Sequence, residues 1–90
     1  MPKRGIDQEA LKLFYDTMLN LKNEELNDLV RSLMSSSEIK DLARRLLAAK
    51  LLKEGSTFLE ISELMGMSPV TINKVYFKTK GSPVIIKLFK

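Results

Sequence analysis

The chain has 90 residues, of which 44% are hydrophobic and 29% charged, and this composition is ordinary for one folded domain. It contains no cysteine and no histidine, which argues against a disulfide framework, a thiolate metal site and an imidazole base. The N-terminal segment lacks the apolar core of a signal peptide, and no apolar run approaches the roughly 18 residues that a membrane span needs. We therefore expect a cytoplasmic protein with no cofactor, no metal and no membrane partner.

The net charge of +4 is distributed unevenly along the chain. Residues 1–67 carry a balance of −1, whereas residues 68–90 carry five lysines and no acidic residue, a balance of +5. Positive charge that is confined to one segment of a chain indicates a polyanionic partner. A solvated lysine-rich tail is the alternative explanation.

Helical periodicity runs through the whole chain, and alternating strand patterns are absent. The first helix is predicted from about Asp7 to Asn20. Its apolar stripe has spacings of three and four and consists of Leu11, Phe14, Tyr15, Met18 and Leu21. The second helix is predicted from about Asn23, a good N-cap residue, with two glutamates at the positive end of the helix dipole.

The third helix is predicted from the serine run, where Ser35 and Glu38 have capping-box spacing, to about Lys53, with Gly55 as the C-terminal stop. Its second half is apolar on more than one side, and such a helix must be buried on most sides. In a chain this short a second protomer is the simplest cover, so we infer a dimer. The alternative is that the first two helices cover the third within one chain.

Two short helices follow, and the segment between them contains one glycine. Thr57 and Glu60 form a second capping box at the start of a brief fourth helix. Gly66 permits a sharp turn, and a fifth helix restarts at once with Ser68 as N-cap and Pro69 at the first helical position. This arrangement is a helix-turn-helix, the motif that many proteins use to contact DNA. An αα-corner without a ligand is the structural alternative.

The apolar positions of these two helices fit a crossing pair. We expect a set of inward-facing side chains, namely Ile61, Leu64, Met65, Met67, Ile72 and Val75, with Tyr76 as a further candidate. The outward face of the fifth helix then carries Pro69, Val70, Asn73, Lys74 and Phe77, with Thr71 at its margin. Asparagine bonds adenine, lysine bonds guanine or phosphate, and valine and threonine methyl groups contact the thymine methyl group.

Catalysis is not expected from this sequence. Glu24 and Glu25 are explained by the helix dipole, and Glu60 by the capping box. A glycine-rich phosphate loop, a nucleophile–base pair and metal-ligand spacing are all missing.

From Ser35 to Pro83 the chain resembles the Trp repressor family, a known helix-turn-helix group. The resemblance is carried by SSSEIKDLARRLLAAKLLKEG, by TFLEISELMGMSPVTINKV, and by GSP before a last short helix. The earlier segment FYDTMLNLKNEEL is similar to the Trp-repressor-related branch of that family.

The resemblance implies an all-α, intertwined homodimer of about six helices. We expect one DNA-binding domain over residues 1–90, with dimerisation helices in 1–54, the helix-turn-helix in 57–79, and a short C-terminal helix or tail in 82–90. The two recognition helices of such a dimer enter successive major grooves of double-stranded DNA.

The resemblance also implies positions for DNA contacts and for a ligand pocket. DNA contacts are expected from Arg44 and from the recognition helix at Ser68, Pro69, Val70, Thr71, Asn73 and Lys74; proline in second place departs from the family pattern. The family's tryptophan pocket uses two arginines and a glycine, and these positions hold Arg45, Lys74 and Val75.

Lysine stacks poorly on an indole ring in comparison with arginine, and valine would fill the space that glycine leaves open. We therefore predict a vestigial pocket that does not bind tryptophan, and any small-molecule effector is expected to be a different compound. A core role for Val75 without this consequence is the alternative.

The predicted function is that of a sequence-specific, homodimeric transcriptional regulator that acts as a repressor. Repression rests on the family analogy alone. The alternative function is a helical adaptor, or the DNA-recognition module of a mobile-element protein, that acts through protein partners.

Overall fold

The computed structural model describes residues 5–90 of the chain. Over this range the protein is all-α and contains no strand, which confirms the predicted fold class with six helices. In chain order the helices are α1 (Ile6–Asn20), α2 (Asn23–Leu33), α3 (Ser36–Lys53), α4 (Phe58–Met65), α5 (Pro69–Thr79) and α6 (Pro83–Leu88). The segment that the sequence left open as a helix or a tail therefore forms a helix, α6.

The chain divides into two compact units, of which the first ends at Ser36 and the second spans Ser37–Lys90. All the predicted DNA-contacting residues and all the predicted pocket residues lie in the second unit. None of the helices within residues 5–90 combines the length and the apolar character that a membrane crossing requires.

The start of α2 differs from the expectation. Asn23 is the first helical residue rather than the N-cap, and the N-cap position belongs to Lys22. The backbone N–H of Lys22 donates to Glu25 Oε1 at 3.1 Å. The Glu25 carboxylate therefore satisfies a backbone donor at this end, and the Asn23 side chain is not needed as a cap.

The C-terminal end of α3 confirms Gly55 as the helix stop. Gly55 has a φ of +96°, in the left-handed region that favours glycine. Its N–H donates to the Leu52 carbonyl at 3.1 Å, and the N–H of Ser56 donates to the Leu51 carbonyl at 3.0 Å. This pair of hydrogen bonds is a Schellman motif, and it satisfies two carbonyls that the end of a helix would otherwise leave free.

The hydrophobic core of the second unit brings α3 against the helix-turn-helix. Among the described residues the buried apolar side chains form one cluster, consisting of Ala48, Ala49, Ile61, Met67, Ile72 and Val75. Two adjacent alanines on α3 allow other helices to approach it closely. Leu51, Leu52, Phe58, Met65 and Ile85 pack around this cluster and are partly buried.

The expected inward positions are largely confirmed, but the prediction for Leu64 is wrong, because its side chain is 73% exposed. Ile61 and Met65 mark the line of α4 that faces the core, and Leu64 lies on a neighbouring line of this two-turn helix. Tyr76 is also more exposed than expected, and its ring packs edge-on against Phe58 with centroids 5.6 Å apart.

Candidate nucleic-acid interface

The fourth helix begins with the predicted capping box. The Thr57 N–H donates to Glu60 Oε1 at 2.8 Å, and the Glu60 N–H donates to Thr57 Oγ1 at 3.1 Å. These bonds satisfy two backbone donors at the helix start. The hydrogen bond from the Thr57 backbone, followed by that of its side chain, lowers the pKa of the Glu60 carboxyl below its ordinary value of 4.5.

The turn between α4 and α5 has the predicted glycine geometry. Gly66 adopts a φ of +63°, and its N–H donates to the Ser62 carbonyl at 2.9 Å. Met67 follows with a buried side chain, which anchors the turn in the core. The chain can therefore leave α4 at Met65 and start a new helix at Pro69, with three residues between them, as a helix-turn-helix requires.

The recognition helix α5 begins at a well-formed cap. Ser68 Oγ accepts a hydrogen bond from the Thr71 N–H at 3.2 Å and lies 3.0 Å from Thr71 Oγ1. Pro69 occupies the first helical position, where its missing N–H has no intrahelical partner to lose. The positive end of the helix dipole is thus exposed at Ser68 and Pro69, and it favours a phosphate.

The outward face of α5 carries most of the predicted DNA contacts. Ile72 and Val75 turn inward and are buried, which fixes the rotation of the helix about its axis. The side chains that remain exposed include Ser68, Pro69, Val70, Asn73 and Lys74, and Thr71 is half-buried at the margin. The structure therefore brings these predicted residues together on one end and one face of a single helix.

The charge around this face is positive. No acidic residue occurs between positions 68 and 90, and Lys74, Lys78 and Lys80 follow each other along and just beyond α5. Within the part of the chain that the structure describes, these three ammonium groups have no carboxylate within ion-pair distance. Their charge is therefore available to phosphate groups.

Arg44 has an intramolecular partner. Its Nη2 donates a hydrogen bond to the backbone carbonyl of Met65, at the C-terminal end of α4. A guanidinium group has five N–H donors, so this bond leaves others for a phosphate. The contact of Arg44 with DNA stays a prediction, and its hydrogen bond within the fold was not expected from the sequence.

The predicted pocket residues Arg45, Lys74 and Val75 line one open groove of about 710 Å³ between α3 and α5. The groove also contains lining residues that the sequence interpretation missed, namely Ile39, Leu42, Ala43, Leu46, Ala49, Thr71, Lys78, Thr79 and Ile85. Lys78 follows Lys74 by four residues, and this spacing on a helix was the available signal for it. Residues as distant as Ile39 and Ile85 meet only through the tertiary fold. The groove has apolar walls and a rim that carries three cations.

Within residues 5–90 the acidic side chains form no group of three or more that could hold a metal ion.

A family model described as Trp repressor protein matches residues 9–82. The chain belongs to the Trp repressor family. This is a family of DNA-binding helix-turn-helix regulators rather than of enzymes. The match covers most of α1, the whole of α2 and α3, and the whole helix-turn-helix. No curated protein and no solved structure matched the chain.

Proposed function

We propose that this member of the Trp repressor family is a sequence-specific, homodimeric repressor that binds double-stranded DNA without tryptophan. The outward face of α5 carries the proposal. It combines an exposed helix N-terminus at Ser68, an exposed amide at Asn73 and an exposed cation at Lys74, on a helix held by buried Ile72 and Val75. These groups match the phosphates and base edges of the major groove.

Exposed apolar side chains support the homodimer. Leu42, Leu46 and Leu47 of α3 are 52%, 47% and 44% exposed, and Phe14 and Tyr15 of α1 are also exposed. Large exposed apolar side chains in such number favour a protein–protein contact over contact with water. An intertwined homodimer, which the family resemblance implies, would cover these positions with a second copy of the chain. Each protomer would then present one α5 to DNA.

Tryptophan independence is supported by Val75 and Lys74. Val75 is 6% exposed and belongs to the core cluster, so its side chain occupies the place where the family pattern has glycine. Lys74 stands where the family pattern has an arginine that stacks on the indole ring. The groove beside these positions is open, but under the proposal it lacks both the glycine that makes room for an indole and the arginine that stacks on it.

Repression is proposed from the family. A dimer that covers an operator blocks access of other proteins to the same stretch of DNA, and this requires no activity beyond binding. The position of the operator relative to the promoter therefore decides whether binding blocks transcription.

The test is a selection from a randomised duplex library by the purified full chain, with no ligand added. The proposal expects enrichment of a two-fold symmetric site. Asn73→Ala should relax the preference at one base position in each half-site, because it removes a bidentate amide. Asn27→Ala, at an exposed position of α2, is the matched control and should select the same site as the wild type.

Two results would count against the proposal. If no site is enriched with or without tryptophan, the chain does not recognise DNA sequence, and the alternative of an adaptor that acts through protein partners gains support. If a site is enriched only when tryptophan is added, the regulator is tryptophan-dependent and the interpretation of Lys74 and Val75 is wrong.

A further inference from the structure

Two large apolar side chains are exposed on the DNA-facing side of α5. Val70 is 65% exposed and Phe77 is 60% exposed, while Ile72 and Val75 on the opposite side are buried. Val70, Asn73 and Phe77 are spaced by three and four residues, so they form one line along the helix. We name this line the outer stripe. Its apolar ends are not buried in the core, so they are available to contact a ligand.

The ring of Phe77 is held in place from two sides. Its centroid lies 5.3 Å from that of Tyr76, in an edge-to-face arrangement. The Lys80 ammonium group lies 4.6 Å from the Phe77 centroid, within the range of a cation–π interaction. The ring is therefore oriented before any partner arrives, and the ammonium group beside it supplies a positive charge for a phosphate.

The edges of bases in the major groove carry one apolar group, the methyl group on C5 of thymine. Phenylalanine and aliphatic side chains contact this methyl group, and asparagine bonds adenine with both atoms of its amide. Val70 and Phe77 are seven residues apart, which is about 10 Å along a helix. This length corresponds to roughly three base-pair steps of DNA, at about 3.4 Å each. With α5 lying along the groove, the stripe has the chemistry and the length to contact consecutive A·T pairs.

Charge favours DNA over a protein as the partner of the stripe. Lys74, Lys78 and Lys80 lie near it, and the chain from residue 68 onward has no acidic group. Cations on both sides of an apolar line match a groove in which methyl groups lie between two phosphate backbones. The stripe is also continuous with the N-terminal end of α5, which is the part of the proposed interface that favours a phosphate.

We propose that the outer stripe of α5 makes this protein specific for A·T-rich half-sites, with Val70 and Phe77 against thymine methyl groups and Asn73 on an adenine between them. The inference rests on the proposed function and adds the class of operator. It also assigns Phe77 as a specificity residue, at a position that lies outside the DNA contacts implied by the family resemblance.

The test uses the duplex that the wild-type chain enriches and a set of copies in which each thymine is replaced, one at a time, by deoxyuridine. This replacement removes one methyl group and leaves the hydrogen-bonding edge intact. Two positions in each half-site should weaken binding by about fourfold, the effect of losing one buried methyl group. Phe77→Ala should bind the thymine duplex more weakly and should no longer respond to one of these two replacements. Val70→Ala should lose the response to the other.

Val84→Ala is the matched control, because Val84 is an exposed aliphatic residue of α6 outside the stripe. It should keep the full uracil response. Val70 and Phe77 are exposed, so their replacement by alanine should lower the melting temperature only slightly, with Phe77→Ala losing its contacts with Tyr76 and Lys80. A variant that stays folded and loses the uracil response has lost a contact with DNA rather than its fold.

The outcomes separate this inference from the proposed function. If the wild type selects a site but no uracil replacement weakens binding, the methyl contact is overturned and sequence-specific binding stands. The same holds if the uracil response persists in Phe77→Ala and Val70→Ala. If no duplex is selected at all, the inference and the proposed function fail together.

Discussion

The Arg44 guanidinium group donates a hydrogen bond to the backbone carbonyl of Met65 and thereby ties α3 to the C-terminal end of α4. The last carbonyls of a helix lack intrahelical partners, and a cation at this end also interacts favourably with the helix dipole. Arg44 is half-buried. Arg44→Ala should lower the free energy of unfolding by about 1.5 kcal/mol, the contribution of a hydrogen bond from a charged donor, as measured by urea denaturation.

Arg45 is the matched control for Arg44, since it is exposed and lies next to it in α3. Arg45→Ala should change stability by less than about 0.5 kcal/mol. If Arg44→Ala leaves stability unchanged but reduces the slope of log affinity against log salt by about 1, its main contact is with a DNA phosphate instead.

Gly66 supplies the positive φ on which the turn between α4 and α5 depends. A Cβ atom at this position would meet nothing within 4 Å, so the cost of Gly66→Ala is one of backbone conformation alone. We expect it to lower stability by about 1 kcal/mol, at the low end of the cost of a left-handed non-glycine residue. Gly81 provides the control, because it has the same free space without a positive φ. An equal loss in Gly81→Ala would refute this account of the turn.

Glu60 should make part of the stability depend on pH. Its pKa is lowered in the folded state from 4.5 by hydrogen bonds from Thr57, so the ionised form is the one that stabilises the fold. This contribution is fully present above pH 4.5 and is lost as the pH falls through the lower, folded-state pKa. Glu60→Gln keeps an oxygen acceptor for the Thr57 N–H but cannot titrate.

The difference in unfolding free energy between the wild type and Glu60→Gln should therefore shrink on acidification below pH 4.5. Chemical denaturation across a pH series measures it. Glu63→Gln, three residues further along the same helix, serves as the comparison. A difference that is constant with pH would mean that the capping box does not bias the Glu60 carboxyl.

The proposed dimer depends on the exposed leucines of α3. Leu46→Glu would place a charge in the interface without disturbing the core cluster, and the chain should then elute as a monomer in size-exclusion chromatography with light scattering. Leu59→Glu introduces the same charge at an exposed position of α4 and should leave the dimer intact. A monomeric wild type would remove the basis for a two-fold symmetric operator.

The groove beside α5 should bind tryptophan only after two changes. The Lys74→Arg and Val75→Gly double variant restores the stacking guanidinium group and the space for an indole, so calorimetric titration with L-tryptophan should show binding. Lys74→Arg alone should not bind, because the valine side chain still stands where the family pattern has glycine. The wild type should give no heat of binding, and a clear signal from it would contradict the vestigial pocket.

The sequence predicted the helix ends better than the side-chain faces. Gly55, Thr57, Gly66 and Ser68 act through hydrogen bonds and dihedral angles within a few residues, so their roles follow from local spacing. Leu64 was wrongly expected inside, because the covered face of a two-turn helix is decided by the helix that packs against it.

The groove and the Arg44 contact also depend on tertiary contacts that local sequence patterns do not predict. Arg45, Lys74 and Val75 came from the family resemblance, and the structure brings them together. Periodicity gave no indication of Ile85 in the groove, because its position depends on the path of the chain after α5. The hydrogen bond from Arg44 joins residues 21 positions apart, and no local pattern specifies it.

The joint between α3 and α4 has a mechanical consequence. A single residue, Ser56, lies between Gly55, which has a left-handed conformation, and Thr57, the N-cap of α4. The N–H of Ser56 already donates to the Leu51 carbonyl. The backbone dihedral angles at this joint have little freedom, so the joint fixes the direction of α4. The Gly66 turn and the core cluster then fix the direction of α5. Substitutions that loosen the core should lower the melting temperature before they alter the spacing of half-sites that the protein accepts.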